Sequence, residues 1–210
     1  MSTVHPMTTA GTEVSLCVGA NQAAKVGAAL ADAFRDDPVI GWLIPFDVAG
    51  REARLQTFFT SMSRSYLRRG KHVTVAGDGM GAALWSAPGS WALPMTEVAR
   101  EAAPAFRAFG SNLLRALRTQ LEVEGGHPKE PKHWYLGYLG VRSDHQGQGV
   151  GSLILREVLD QADATSTPAY LESSNERNLP LYERHGFVVT TSYPALGRGP
   201  TIWRMWRDPR

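Results

Sequence analysis

The sequence contains little of several features that define common protein classes. Cys17 is the only cysteine among 210 residues, so neither an internal disulfide nor a cysteine-based zinc site can form. We interpret Cys17 as a small packing residue within a strand. A single cysteine fits a reducing compartment, and the first residues lack the basic region and apolar run of a secretory signal. We therefore expect a cytoplasmic protein.

Strong charge and long hydrophobic runs are missing too. The formal net charge is +2, which is too small to indicate a nucleic-acid or anionic-membrane partner. No window holds about 18 uninterrupted apolar residues, so the sequence predicts no membrane-spanning helix. The histidines show no metal-ligand spacing, and we expect no metal. A hydrophobic fraction of 43% is typical of a globular domain.

Apolar alternation and helical spacing predict the order of elements along the chain. The order is strand, helices, hairpin, helix, strand, helix, strand, helix and two strands. It predicts a single α/β (or α+β) domain over residues 13–210, built around a mixed sheet. Residues 1–12 are expected to form a loose tail.

A glycine-rich turn separates a predicted strand from a predicted helix. Gly147, Gly149 and Gly151 occupy alternate positions between "YLGYLGV" and the helical pattern "GSLILREVLDQA". Unpaired N–H groups and the helix dipole favour an anion there, and the missing Cβ atoms allow close approach. We predict a phosphate or pyrophosphate site. The spacing differs from a P-loop and from G-x-G-x-x-G. A turn that only allows helix and strand to pack is the alternative.

The segment Gln146–Gly151, "QGQGVG", fits the pattern Q/R-x-x-G-x-G/A. It resembles the acetyl-CoA signature of the GCN5-related N-acetyltransferase (GNAT) family. The resemblance extends through "YLGYLGV" and "ESSNERNLPLYERHGF", and covers about residues 126–187. Within the family, these segments look most like the puromycin N-acetyltransferase subgroup. The resemblance implies a central sheet of about seven strands flanked by helices, with strands that splay around the cofactor.

The resemblance also implies acetyl-CoA as co-substrate. Its pyrophosphate would lie over the glycine turn, and its pantetheine arm would pair with the edge of the preceding strand. For Asn175 and Asn178, which the resemblance also assigns to the cofactor, helix capping is the alternative role. The residues assigned to the cofactor in this way are Leu139, Gly140, Val141, Gln146, Gly147, Gln148, Gly149, Val150, Gly151, Ser152, Asn175 and Asn178.

Acetyl transfer from a thioester to an amine needs a proton donor and a base. Tyr182, in "LYERHGF", matches the family's general acid, and a phenol with a pKa near 10 is protonated at neutral pH. Packing on the cofactor is its alternative role. Glu172 and His133 are candidates for the base, with ordinary strand and surface roles as alternatives. Trp42 and Trp85 are candidates for the acceptor pocket, with core packing as the alternative.

These assignments predict an acetyl-CoA-dependent N-acetyltransferase that transfers the acetyl group directly to the amine of a small molecule. Three alternatives stay open: a non-catalytic acetyl-CoA or CoA-binding module, an enzyme that acetylates a protein amine, and a dinucleotide oxidoreductase. We expect neither nucleic acid nor membrane as a partner, and the sequence is compatible with a homodimer.

Overall fold

The computed structural model describes residues 8–9, 12–17 and 19–210. The strands are β1 (Thr8–Thr9), β2 (Thr12–Leu16), β3 (His72–Ala76), β4 (Gly81–Ser86), β5 (Trp134–Val141), β6 (Ala169–Ser173), β7 (Val188–Pro194) and β8 (Thr201–Arg207). The helices are α1 (Ala23–Ala33), α2 (Pro38–Leu43), α3 (Arg51–Arg68), α4 (Met95–Phe109), α5 (Leu113–Gly125), α6 (Val150–Ala164) and α7 (Leu179–Arg184).

The strands form one mixed sheet in the order β1-β2-β3-β4-β5-β6-β8-β7. Strands β5 and β6 are parallel, and the other neighbouring pairs are antiparallel. The mixed α/β fold predicted from the sequence is confirmed, with the two-residue β1 as an eighth strand. The expected tail over residues 1–12 lies largely outside the described residues, and its boundary stays a prediction.

Helices cover both faces of the sheet. Successive side chains of a strand point to opposite faces, so Leu84 packs in the core under α1 and α3, while Trp85 packs in the core under α6. Helix α6 has the spacing of an amphipathic helix and buries Leu153, Ile154 and Val158 against the sheet. Among the described residues, no helix combines the length and apolarity needed to cross a bilayer.

Strands β5 and β6 part soon after they meet. They pair at three positions: Trp134 with Ala169, Tyr135 with Tyr170, and Leu136 with Leu171. Beyond Leu136, β5 continues beside β4 alone, so a gap opens between residues 137–141 and the end of β6. Glycine at position 140 lets α1 pack closely on this part of β5, because a Cβ there would lie 2.6 Å from the Cβ of Ala33.

Two buried carboxylates join α4 to α3. Glu97 accepts hydrogen bonds from Arg68 at 2.7 Å and from Ser65 at 3.1 Å. Glu101 accepts from Arg68 at 2.9 Å and from the Ser61 hydroxyl. The hydrogen bond from Arg68 is the main reason why the pKa of Glu97 is lowered to about 2, so Glu97 is ionised at neutral pH. This ion-pair cluster fixes α4 on α3.

Arg68→Ala is expected to lower the free energy of unfolding by about 1–3 kcal/mol, because it leaves two buried carboxylates without their shared donor. Arg64→Ala is the matched control, since Arg64 lies on the same helix and is exposed; it should change stability by less than about 0.5 kcal/mol. Urea unfolding of both variants measures the difference. Equal losses would show that the cluster does not stabilise the α3–α4 contact.

Candidate active site

A cavity of about 300 Å³ lies at the gap between β5 and β6. Helices α2, α3, α4 and α5 supply about half of its lining. One part is an apolar wall, formed by Phe34, Phe58, Met62, Phe109, Leu113 and Leu117. The other part holds polar groups on β5, β6 and the loop before β5. The cavity therefore joins an apolar surface to a few buried polar side chains, as small-molecule sites commonly do.

The glycine turn precedes α6 and leaves the first N–H groups of that helix exposed to a ligand. Gly147 and Gly149 have φ angles of +75° and +83°, which side chains with a Cβ rarely adopt. Gly149 caps α6 without a side-chain hydrogen bond, and the first N–H groups of a helix have no partner within it. A Cβ at either glycine would have no atom within 4 Å. The conformation of the turn therefore requires glycine, and the surface above it is open.

The side chains of Gln146 and Gln148 brace the turn. The Gln146 amide donates to the carbonyl of Val141 at 3.1 Å, and the Gln148 amide donates to the carbonyl of Asp144 at 3.1 Å. Each amide keeps a second N–H for a ligand. Val150 is buried, so any part that it has in anion binding comes from its backbone N–H.

The end of β5 has one edge that pairs with no strand among the described residues. Gly140 and Leu139 pair with β4 on one side, and their other side faces the gap, where Leu139 lines the cavity.

The two asparagines predicted to contact the cofactor have different positions. Asn178 lines the cavity, whereas the side chain of Asn175 accepts a hydrogen bond from the Arg177 N–H at 3.1 Å and caps a short helical turn.

Tyr182 lies on α7, is buried, and lines the cavity. Burial, together with the nearby charge of Asp37, raises the pKa of its phenol, so the hydroxyl carries its proton at neutral pH. Asp37 accepts hydrogen bonds from the Ile40 N–H at 2.9 Å and from the Ser174 hydroxyl at 2.5 Å. Sequence reasoning did not single out Asp37 or Ser174, which link α2 to the end of β6 beside Tyr182.

Glu172 lies on β6 with its side chain 7% exposed, and lines the cavity. Within the described residues neither carboxylate oxygen has a hydrogen-bond partner. Burial raises the pKa of Glu172 to about 7, and the nearby hydroxyls of Tyr170 and Tyr135 and the charge of Arg204 offset part of the effect. A carboxyl group that exchanges its proton near neutrality suits general base catalysis.

His133 is not at the surface, and it does not line the cavity. It is 2% exposed, and its ring lies 2.8 Å from the Pro131 carbonyl and 3.0 Å from His127. His127 occupies the cavity instead, stacked on Trp91. This position corrects the prediction that His133 is a candidate base, because His133 lies behind His127 and supports it. The polar loop "GGHPKEPK" gave no local signal that His127 is buried.

The structure also corrects the predicted acceptor residues. Trp85 is fully buried under α6, on the opposite face of the sheet from the cavity. Trp42 packs against the core below the guanidinium of Arg115, 5.0 Å from its ring. Neither lines the cavity, whereas Trp91 does. Large aromatic residues near turns were therefore poor guides, because burial in the core depends on packing that the local sequence does not show.

Cys17 is buried, and burial raises the pKa of its thiol to about 11. The thiol is therefore protonated at neutral pH, in keeping with a packing role. In the part of the chain that the structure describes, no group of three or more His, Cys, Asp or Glu side chains is arranged to hold a metal ion.

Comparisons with known proteins agree with this geometry. A family model described as "Acetyltransferase (GNAT) family" matches residues 108–187. An uncharacterized N-acetyltransferase of Schizosaccharomyces pombe, C550.08, is 31% identical over an alignment of 179 positions, which covers 80% of this chain and 71% of that protein.

Solved structures give the same result for the fold. The structure described as histone acetyltransferase HPA2 and related acetyltransferase, from Corynebacterium glutamicum, has a TM-score of 0.66 and 25% identity, and the match covers 94% of this chain and 96% of that one. PaiA N-acetyltransferase from Thermoplasma acidophilum, in complex with coenzyme A, has a TM-score of 0.56 and 9% identity, with 94% and 99% covered. The latter likeness concerns the fold.

Gly149→Ala is expected to lower the free energy of unfolding by about 1–2 kcal/mol, because a left-handed backbone strains any residue with a Cβ. Gly125→Ala is the control: a Cβ there also has no atom within 4 Å, and Gly125 is not left-handed. It should be neutral or slightly stabilising. Urea unfolding compares the two variants, and equal stabilities would contradict the conformational role of Gly149.

Proposed function

The chain belongs to the GNAT family of acetyltransferases, and from this membership we propose that it transfers the acetyl group of acetyl-CoA directly to the amine of a small molecule in a ternary complex. One observation carries the proposal. The buried carboxylate of Glu172, which has no hydrogen-bond partner in the part of the chain that the structure describes, and the protonated phenol of Tyr182 line the same cavity at the gap between β5 and β6.

Two features of the gap suit acetyl-CoA. The backbone N–H groups of the turn, residues 146–152, are donors for a pyrophosphate at the start of a helix. The free edge of β5 at residues 139–141 can pair with the amide groups of pantetheine as a strand would. Asn178 lines the cavity that the thioester end would reach. Asn175 is placed as a cap, so we assign the cofactor contact to Asn178 rather than to Asn175.

Glu172 is the group proposed to take a proton from the acceptor. A lysine-like amine is protonated at neutral pH, and it reacts only after losing a proton. The ionised Glu172 carboxylate accepts that proton, and the free amine attacks the carbonyl carbon of the thioester. A C–N bond forms, and the C–S bond to CoA breaks.

Tyr182 is the group proposed to protonate the departing sulfur. Thiolate leaves more readily when it receives a proton, and the phenol has one to give because burial holds its pKa high. The nitrogen loses its second proton as the amide forms, which balances the proton given to CoA. A direct route is supported by Cys17, whose buried, protonated thiol is a poor nucleophile.

A small acceptor is supported by the size of the cavity. About 300 Å³ lies at the lower end of the range for small-molecule sites. The resemblance to the puromycin N-acetyltransferase subgroup also favours a small amine. That subgroup assignment, the cytoplasmic location and a homodimer stay predictions.

Tyr182→Phe is expected to lower kcat at least about tenfold, because general acid catalysis typically contributes about 100- to 10,000-fold and water can replace part of it. Acetyl-CoA-dependent thiol release measures kcat, and calorimetry should show nearly unchanged acetyl-CoA affinity. Tyr193→Phe is the control, since Tyr193 does not line the cavity.

Full kcat in the Tyr182→Phe variant, with chemistry shown to be rate-limiting, would make Tyr182 a packing residue.

Initial rates at varied concentrations of both substrates should give intersecting lines, and parallel lines would contradict direct transfer. Acetyl-CoA binding without thiol release for any amine would favour a binding module.

Glu172→Gln should change the pH dependence of kcat/KM. In the native enzyme the rate should rise with pH through about 7, the pKa of Glu172, because only the ionised carboxylate accepts a proton. In the variant the rate should instead follow the free amine and keep rising toward its pKa of about 10. Glu183→Gln, at an exposed position, should leave the profile unchanged. An unchanged profile in Glu172→Gln would assign the base elsewhere.

A further inference from the structure

Four side chains in the cavity form what we call the cation pocket: Glu172, His127, Tyr135 and Trp91. His127 Nδ1 lies 4.0 Å from Glu172 Oε1. The His127 ring stacks on Trp91 with centroids 4.0 Å apart, and it meets Tyr135 edge-on at 4.7 Å. A carboxylate surrounded by aromatic rings is a typical environment for an organic cation.

The hydrogen bonds behind this pocket determine which nitrogen of His127 carries its proton. The Pro131 carbonyl only accepts, so His133 Nδ1–H donates to it across 2.8 Å. Burial lowers the pKa of His133, and the neutral ring therefore has a lone pair on Nε2. His127 Nε2–H donates to that lone pair across 3.0 Å.

The second nitrogen of His127 is consequently an acceptor. Burial lowers the pKa of His127 to about 3, so the ring is neutral and Nδ1 has a lone pair beside Glu172. Two acceptor groups, Glu172 and His127 Nδ1, thus converge in the cation pocket. A primary ammonium, with three N–H donors, satisfies both of them and has one donor left.

Apart from Glu172, no carboxylate among the described residues that line the cavity is both buried and without a hydrogen-bond partner. Both oxygens of Asp37 already accept hydrogen bonds, from Ile40 and Ser174. Glu124 accepts from Gln120 at an exposed position, where an ion pair would be worth little. Between them lies the apolar wall, with Phe58 edge-on to Phe109 at 5.2 Å. A charged group placed there would lose its hydration without gaining a partner.

An acceptor with a carboxylate beside its amine is disfavoured for a different reason. The α-carboxylate of an amino acid would lie one carbon from the ammonium and therefore close to Glu172, where like charges repel. Two cations lie near this end of the cavity. Arg69 donates to the Ala92 carbonyl at 3.2 Å and lies over the ring of Tyr66, and Arg204 is paired with Glu172 across β6 and β8 and lies over the ring of Tyr193.

We propose that the acceptor is a primary amine on an uncharged apolar or aromatic body, with its ammonium in the cation pocket and its body on the apolar wall. The proposal rests on the acetyl transfer proposed above, and it names the substrate class for that same cavity. It excludes diamines and polyamines, which carry a second charge, and α-amino acids, which carry a carboxylate.

Two matched ligand pairs test the proposal without requiring turnover. Hexylamine and 1,6-diaminohexane differ in one ammonium, and 2-phenylethylamine and phenylalanine differ in one carboxylate. Calorimetry on the full chain saturated with CoA, at pH 8, should show each monoamine binding at least tenfold more tightly than its charged counterpart. Equal or tighter binding of diaminohexane or of phenylalanine would overturn the proposal.

A pair of variants tests the apolar wall directly. Leu117 lines the cavity and is 48% exposed, while Leu121 lies one turn further along α5, is 66% exposed, and does not line the cavity. Leu117→Glu should shift the preference toward diaminohexane at least fivefold, and Leu121→Glu should leave it unchanged. An equal response in both variants would overturn the placement of the acceptor's body.

Glu172→Gln tests the anchor for the ammonium. It should weaken binding of 2-phenylethylamine at least tenfold and leave CoA affinity unchanged, whereas Glu183→Gln should change neither. Unaltered amine binding in Glu172→Gln would overturn the cation pocket. If that variant does not fold, the comparison of Leu117→Glu with Leu121→Glu decides whether the acceptor binds as proposed.

Acetylation of the amines separates this inference from the proposed function. Selective binding of monoamines without acetyl transfer would contradict the enzyme's proposed acceptor chemistry but keep the pocket. Acetyl transfer with diamines or amino acids preferred would keep the function and overturn the inference.

Discussion

Strands β5 and β6 share three residue pairs and then separate, and that separation leaves one edge of β5 without a strand partner in the described parts of the chain. Unpaired strand edges attract other extended chains, and under the proposed function the edge at residues 139–141 would pair with pantetheine in this way. The same separation exposes Glu172 on β6 to the cavity. The site for the cofactor and the polar end of the acceptor site therefore arise from one departure from regular sheet pairing.

The helices that pack on the cavity side of the sheet determine the electrostatics of the gap between β5 and β6. Gly140 allows α1 to pack close to β5, and the ion-pair cluster of Arg68 with Glu97 and Glu101 fixes α4 on α3. Phe109 and Leu113, in and after α4, then enclose the cavity with apolar side chains. Because these side chains exclude water, charges inside interact more strongly than they would at the surface. The raised pKa of Glu172 is a consequence of that enclosure.

Local sequence was sufficient for the features that depend on local backbone. The alternating glycines predicted a turn at a helix start, and the left-handed angles of Gly147 and Gly149 explain why glycine stands there. Tyr182 and Glu172 were predicted from short sequence segments that form a helix and a strand as expected, and both side chains line the cavity.

Features that depend on how distant segments meet were not predictable from the sequence. His127 belongs to a polar loop, and it becomes buried only because that loop folds over Trp91, Tyr135 and Tyr170. The surface role that was the alternative for the candidate base His133 is wrong for the same reason, because His133 is buried. Trp85 and Trp42 looked alike in sequence, yet Trp85 is buried beneath α6 and Trp42 is half-buried beneath Arg115. Aromatic residues suit both cores and pockets, so only packing distinguishes them.

A buried carboxylate without hydrogen bonds destabilises a fold. Glu172 is such a group among the described residues, with the hydroxyls of Tyr170 and Tyr135 and the charge of Arg204 offsetting only part of the cost of its burial. The proposed reaction gives a reason for its position that stability does not. In water a lysine-like ammonium has a pKa of about 10.4 and a glutamate has a pKa of about 4.3, so proton transfer from the ammonium to the glutamate is strongly unfavourable. With the pKa of Glu172 at about 7, the difference falls from about six pKa units to about three. Burial beside Trp91 and the apolar wall disfavours the charge of the bound ammonium, while the neighbouring Glu172 carboxylate favours it. The enclosure that makes the carboxylate costly is therefore the property that makes deprotonation of the acceptor feasible at neutral pH.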